Sequence, residues 1–342
     1  MLVFRYDHIK EITLCTALPA QKKRNKNSKS IAVFEQTTSD LGFLAAKKII
    51  KRKNIDTKDI GALIFLTKTP DYRGPATAMV LQNRLEIPYD CIVYDSPTGN
   101  FGFENGVNLG ASLLKSISQN YALVVFGDTI SKQLSDKDII ESSFQDGATA
   151  VLLEKGQTEQ AVSILTIALT KNWSSFMVPS GGFRNDHSFF NKLSPKKEHQ
   201  LETYLHIDKA RIENSILPEF SIIKNEIRKI IFEQKNPNIA IIINLINPEL
   251  EKQLHSILIA EDYVKDVYLS TEYIPQTMAS TVPLVIEKAV VKKNGLPVNI
   301  ISVSLGEGLS LNISKIEVSE ALVLETIISD DFFENGFVTH EL

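Results

Sequence analysis

This 342-residue chain has two cysteines, Cys15 and Cys91, and six histidines for nucleophilic or acid–base work. Cys15 lies in ITLCTALP and Cys91 in PYDCIVYD, and both read as small buried strand residues. Two cysteines provide neither a disulfide framework nor a cysteine zinc site. His8, His187, His199, His206, His255 and His340 include no pair three or four residues apart with a carboxylate in step, so no metal centre is expected. His206 and Asp208 open the segment LHIDKARI, where helix capping is the expected role. Ser96 and Thr98 carry hydroxyls, but without a histidine nearby they read as turn residues.

Strand and helix patterns alternate along the chain. Thr38-Ser39-Asp40 followed by LGFLAAKKIIKRKN predicts a capped helix with Leu41, Leu44, Ala45 and Ile49 on one face and lysines on the other. Continuous apolar runs at 60–66, 122–126, 148–153, 239–243 and 298–303 suit strands covered on both faces. Helices are expected in ATAMVLQNRLEI after Pro70 and in ELEKQLHSILIA after Pro248. These strand–proline–helix units repeat loosely, as do VVFGDTIS and SVSLGEGLS, which suggests two duplicated α/β halves, 1–160 and 161–342. The basic run 20–30, with Lys22, Lys23, Arg24, Lys26 and Lys29, reads as a solvated loop, and 183–200 as a surface excursion.

Lys plus Arg number 37 and Asp plus Glu 41, a net charge of −4, which argues against a general nucleic-acid binder. No apolar run approaches the ~20 residues that span a bilayer. Charges within MLVFRYDHIKEI exclude a signal-peptide core there, so a cytoplasmic location is expected.

Several segments in order resemble the ketoacyl-acyl-carrier-protein synthase III family of thiolase-fold condensing enzymes. They are TSDLGFLAAKKII, DTKDIGALIFLTKTPDYRGPATA, YALVVFGDTISK, FQDGATAVLLE, VPSGGFRND, LHIDKARI, TMASTVPLVIEKAV and SLGEGLS, which together fall within residues 35–312. The resemblance implies a five-layered α-β-α-β-α arrangement of two thiolase-like halves. It also implies a cysteine acylated at a helix N-terminus, with a histidine and an asparagine that bind the donor's thioester carbonyl. The matching position of the cysteine motif is Asn100, within Asp95-Ser96-Pro97-Thr98-Gly99-Asn100-Phe101-Gly102-Phe103. The histidine position is Asn244, in Asn244-Leu245-Ile246-Asn247, and the asparagine position is Gln276, in a segment running from Pro275 to Pro283. A carboxamide has no lone pair suited to attacking a thioester. No intact catalytic triad is therefore expected, although Asn244 and Gln276 can still donate to a carbonyl.

By the same resemblance, Thr98 and Phe101 belong to the pocket, while Thr69, Pro70, Asp71 and Pro75 lie near a dimer surface. The short link from Leu18-Pro19 to Ser39-Asp40 contains no tryptophan, the single one being Trp173, so coenzyme A binding in the family manner is not expected, nor is any cofactor. Glu249 stands where many family members place an arginine for the acidic carrier protein. The expected role is a non-condensing subunit, homodimeric or paired with an active synthase III homologue. Acyl transfer without a cysteine acyl-enzyme is the alternative, and ordinary condensation a third. Acyl carrier protein or an acyl thioester remain possible ligands, with Lys22–Lys29 a substitute docking surface.

Overall fold

The computed structural model describes residues 2–24, 27–135, 144–157, 162–179, 204–234, 238–290 and 297–336. The first half holds strands β1 (Leu2–Tyr6), β2 (Ile9–Leu18), β3 (Gln21–Arg24), β4 (Asn27–Ser30), β5 (Ile60–Leu66), β6 (Ile92–Ser96), β7 (Tyr121–Asp128) and β8 (Gly147–Lys155). Its helices are α1 (Thr38–Lys53), α2 (Thr77–Arg84) and α3 (Gly102–Ser116). The second half carries β9 (Val162–Ala168), β10 (Phe176–Met177), β11 (His206–Ile207), β12 (Ile239–Asn244), β13 (Val267–Leu269), β14 (Val298–Gly306), β15 (Ser310–Val318) and β16 (Val323–Ile328). Its helices are α4 (Lys209–Ile216), α5 (Phe220–Glu233), α6 (Pro248–Ile259), the single turn α7 (Ser270–Tyr273) and α8 (Thr281–Val285).

Two six-stranded mixed sheets form, in the orders β16-β2-β8-β7-β5-β6 and β1-β9-β15-β14-β12-β13. The orders correspond strand for strand: β5 and β12 each lie parallel to both neighbours, and β8 and β15 each run antiparallel to theirs. The outer strands are exchanged, since β1 joins the second-half sheet and β16 the first-half sheet. Every residue of β5 and of β14 is buried, which accounts for the uninterrupted apolar run of β5, whereas β14 also buries the polar Asn299, Ser302 and Ser304.

Three apolar cores separate the layers. Phe103 and Val107 of α3, with Val285 of α8, pack between the sheets against Ile64 and Val124 on one side and Ile242 and Ile300 on the other. Leu41, Ala45 and Ile49 of α1 and Leu81 of α2 cover the outer face of the first sheet. Ile223 and Ile227 of α5 and Leu254 of α6 cover that of the second. The result is the expected α-β-α-β-α order, with α3 in the middle layer.

Local chemistry sets the ends of α1. Thr37, one residue before the expected cap, is the N-cap, and its backbone N–H donates to Asp40 Oδ2 at 2.8 Å. Asn54 closes the helix with φ 52°, in the left-handed region that Asn tolerates. Asp40 also accepts from Arg84 at 2.9 Å, and the Arg84 guanidinium lies between the rings of Phe43 and Phe333, 4.5 Å from each centroid.

Three expectations change. The basic run is no open loop: β3 and β4 pair antiparallel from Gln21↔Ser30 to Arg24↔Asn27, so backbone hydrogen bonds order a segment with no apolar anchor. Cys91 precedes β6 rather than lying on it. Helix α2 stops at Arg84, because Glu86 turns to φ 55°. The expected division near residue 160 and the excursion at 183–200 lie outside the described residues.

Candidate functional site

Helix α3 begins one turn after β6, and Asn100 sits at that junction, almost wholly buried. Its Nδ2 donates to the carbonyl of Leu305 on β14, and its Oδ1 has no hydrogen-bond partner among the described residues. Asn244 ends β12, directly beside Ser304 of β14 in the parallel register. Gln276 lies in the loop before α8, where its backbone forms a bridge to Phe144 and its carbonyl accepts from Gln145 N at 2.9 Å. Gln276 Nε2 donates to Asn244 Oδ1 at 2.9 Å, and Gln276 Oε1 accepts from the Thr281 hydroxyl. Gly102 brings the two loops together, since a Cβ there would stand 2.9 Å from Ala279 Cβ. The start of α3, the end of β12 and the Gln276 loop thus converge on the end of β14.

Backbone strain concentrates at the same place. Of five non-glycine residues with positive φ among the described residues, Ile246 (63°), Met278 (51°) and Leu309 (55°) lie in the loops after Asn244, after Gln276 and after β14. A β-branched residue such as Ile246 adopts that conformation only where its surroundings enforce it.

Carboxylates that the motif comparison did not single out surround the three amides. Glu307, in the tight turn between β14 and β15, holds its Oε1 and Oε2 3.3 and 3.2 Å from Asn100 N. Lys68 Nζ lies 2.7 Å from Glu307 Oε1 and 5.1 Å from the Phe176 ring centroid. Asp128, at the end of β7, accepts from Lys68 N at 2.7 Å and Thr67 Oγ1 at 3.1 Å. Burial pushes its carboxyl up to about 7, against the pull of the Lys68 charge.

Glu104, one helical turn beyond Asn100, accepts from Ser302 and Ser304 hydroxyls, each at 2.6 Å; burial raises its pKa. Glu251 on α6 accepts from Ser270 Oγ at 2.8 Å and Thr271 N at 3.1 Å, and burial raises its pKa too. The Ser270 hydroxyl is also 3.2 Å from Asn244 Oδ1, so Glu251 anchors the amide pair from behind. Acidic residues in S-L-G-E-G and G-F-E, each flanked by glycine or an apolar side chain, were the available signal for Glu307 and Glu104.

The remaining expected residues divide. Phe101 packs on Gly306, where a Cβ would come 1.2 Å from the ring, and Thr98 Oγ1 is buried without a hydrogen-bond partner among the described residues. Thr69 Oγ1 belongs to a hydroxyl group with Thr38 Oγ1 (2.8 Å) and Thr67 Oγ1 (3.2 Å), and it accepts from Thr129 N at 2.9 Å. Asp71 accepts from Ser39 Oγ at 2.6 Å, and burial raises its pKa. Pro70 and Pro75 are exposed. Asp95 caps α2 from outside, accepting from Ala78 N at 2.8 Å.

Both cysteines are buried with thiols pushed up to about 12 by desolvation, so neither supplies a thiolate near neutral pH. Asp208 caps α4 by accepting from Arg211 N at 3.0 Å.

The family model for 3-oxoacyl-[acyl-carrier-protein] synthase III matches residues 94–172, the stretch that contains Asn100, α3, β7 and β8. A Campylobacter jejuni protein bearing the name 3-oxoacyl-[acyl-carrier-protein] synthase 3 is 28% identical over 244 residues, 62% of this chain and 67% of that protein. Over these stretches the chain is similar to synthase III proteins. A beta-ketoacyl-[acyl-carrier-protein] synthase III of Rhizorhabdus wittichii is 37% identical over 120 residues, 35% of this chain and little more than a third (37%) of that relative's length. The fold agrees: the crystal structure of a 3-oxoacyl-(acyl-carrier protein) synthase from Burkholderia xenovorans superposes with TM-score 0.81 at 21% identity, covering 96% of this chain and 99% of that one. The described residues thus share the thiolase-like fold of that synthase. Among its described residues no helix is long and apolar enough to cross a membrane.

Proposed function

We propose that this synthase III-like chain does not condense and serves as the partner subunit of an active homologue in acyl metabolism. One observation carries the reading. The residues at the three motif positions are carboxamides, tied to Leu305, to one another and to Thr281. A condensing site needs a nucleophile that forms a thioester and groups that stabilise the donor's carbanion. Neither buried cysteine meets the first need.

The pairing role draws support from the sheet edge. Strand β6 is the last strand of its sheet, and Tyr94 on it is half exposed, with Tyr89 just before it wholly exposed. Unpaired strand edges with aromatic side chains invite a partner strand. Thr69, Pro70, Asp71 and Pro75 are proposed to lie beside that surface. Glu249 is exposed at the start of α6, so an acidic carrier protein would meet a like charge there.

The test is co-purification with synthase III homologues encoded at the same locus. A stable one-to-one complex is expected, and charge placed at the edge by Tyr94→Asp should abolish it. A homodimer that ignores every such homologue contradicts the subunit role.

Acyl transfer from a thioester without an acyl-enzyme is a second reading, favoured by one detail. Asn244 Nδ2 is buried without a hydrogen-bond partner among the described residues, so it remains available to a carbonyl oxygen.

A further inference from the structure

The turn that leads into α3 presents the backbone N–H of Asn100, one residue before the N-cap Phe101, as a donor suited to an anion or a polarised carbonyl oxygen. In this chain that donor is already engaged. Both Glu307 oxygens lie within 3.3 Å of Asn100 N, and the carboxylate is held in turn by Lys68 Nζ at 2.7 Å. The Lys68 and Glu307 side chains are only 11% and 15% exposed, so the pair is poorly screened by solvent.

Two glycines make room for this arrangement. A Cβ on Gly99 would come 2.4 Å from Glu307 Oε1 and 2.5 Å from Lys68 Cε, so both side chains lie flat across the Gly99 backbone. Gly308 follows Glu307 with φ 67° and open space around it, which gives the turn the conformation that points Glu307 back toward α3.

We propose that Glu307 is a built-in occupant of the turn that leads into α3: its carboxylate, clamped by Lys68, keeps carbonyl and carboxylate ligands off the Asn100 backbone N–H. The inference deepens the non-condensing reading and rests on it, because it names the residue that closes the site. Removal of the carboxylate leaves the amide donor and the Lys68 ammonium facing a space shaped for one carboxylate group.

Acetate is the direct probe. Titration calorimetry and thermal unfolding would compare sodium acetate with sodium chloride at equal ionic strength on wild type, Glu307→Ala and Glu307→Ala/Lys68→Met. Glu307→Gly, which leaves an all-glycine turn, replaces the alanine variant if that does not fold. Acetate is expected to bind the opened variant at least tenfold more tightly than wild type and to raise its Tm selectively. The added Lys68→Met change is expected to remove both effects. Equal acetate responses in wild type and opened variant, or none in either, would overturn the proposal. This outcome is independent of what the wild-type chain does with thioesters, so it is separable from failure of the non-condensing reading.

Discussion

Asp128 makes the site's electrostatics measurable at a single residue. Its carboxyl keeps a proton in the folded chain up to about pH 7, because burial outweighs the attraction of Lys68, whereas the ordinary value is 3.8. Between those values the folded state binds more protons than the unfolded one, so this group's contribution to stability falls as pH rises. Asp128→Asn removes that dependence. Urea unfolding from pH 5 to pH 7 should therefore show the variant gaining stability relative to wild type as pH increases. A difference that stays flat or runs the other way would contradict the assignment. At this scale the sequence was legible where residues form a linear pattern. Asn100, Asn244 and Gln276 stood out as amides in motif positions. Glu307 and Lys68 did not, because Glu307 meets Asn100, and Lys68 meets Glu307, only after folding, and no local spacing encodes the 207 residues between Asn100 and Glu307.

At the scale of elements, the glycine at the end of β14 decides how α3 docks. A Cβ on Gly306 would overlap the Phe101 ring at 1.2 Å, closer than side-chain adjustment can absorb. Overpacking of this kind costs about 1–3 kcal/mol and often more. Gly306→Ala should lower Tm by several degrees, and Gly306→Ala/Phe101→Ala should destabilise by less than the sum of the two single changes. Additive losses would show that the contact is not shared. The buried strands were readable because both faces are covered: IGALIFL became β5, from Ile60 to Leu66, without adjustment. The β3–β4 hairpin was not readable, since its lysine-rich strands carry neither alternation nor an apolar face.

For the whole molecule, the duplication is plainer in three dimensions than in sequence. The two sheets share one strand order, while the sequence offered only loose echoes such as VVFGDTIS and SVSLGEGLS. The exchange of β1 and β16 between sheets had no local signal, because it depends on which distant edge each strand meets. The layering matters to function in one respect: it brings the start of α3, the end of β12 and the Gln276 loop to one place, where a condensing enzyme would need a thiolate and an imidazole. The most direct measurement uses the purified chain alone with an acyl thioester and a carboxyl-labelled malonyl thioester. It follows release of labelled carbon dioxide, formation of a 3-oxoacyl product and the intact mass of the protein. The account predicts no carbon dioxide above the buffer rate, no product and no added acyl mass. Product formation that Asn100→Ala abolishes would contradict it.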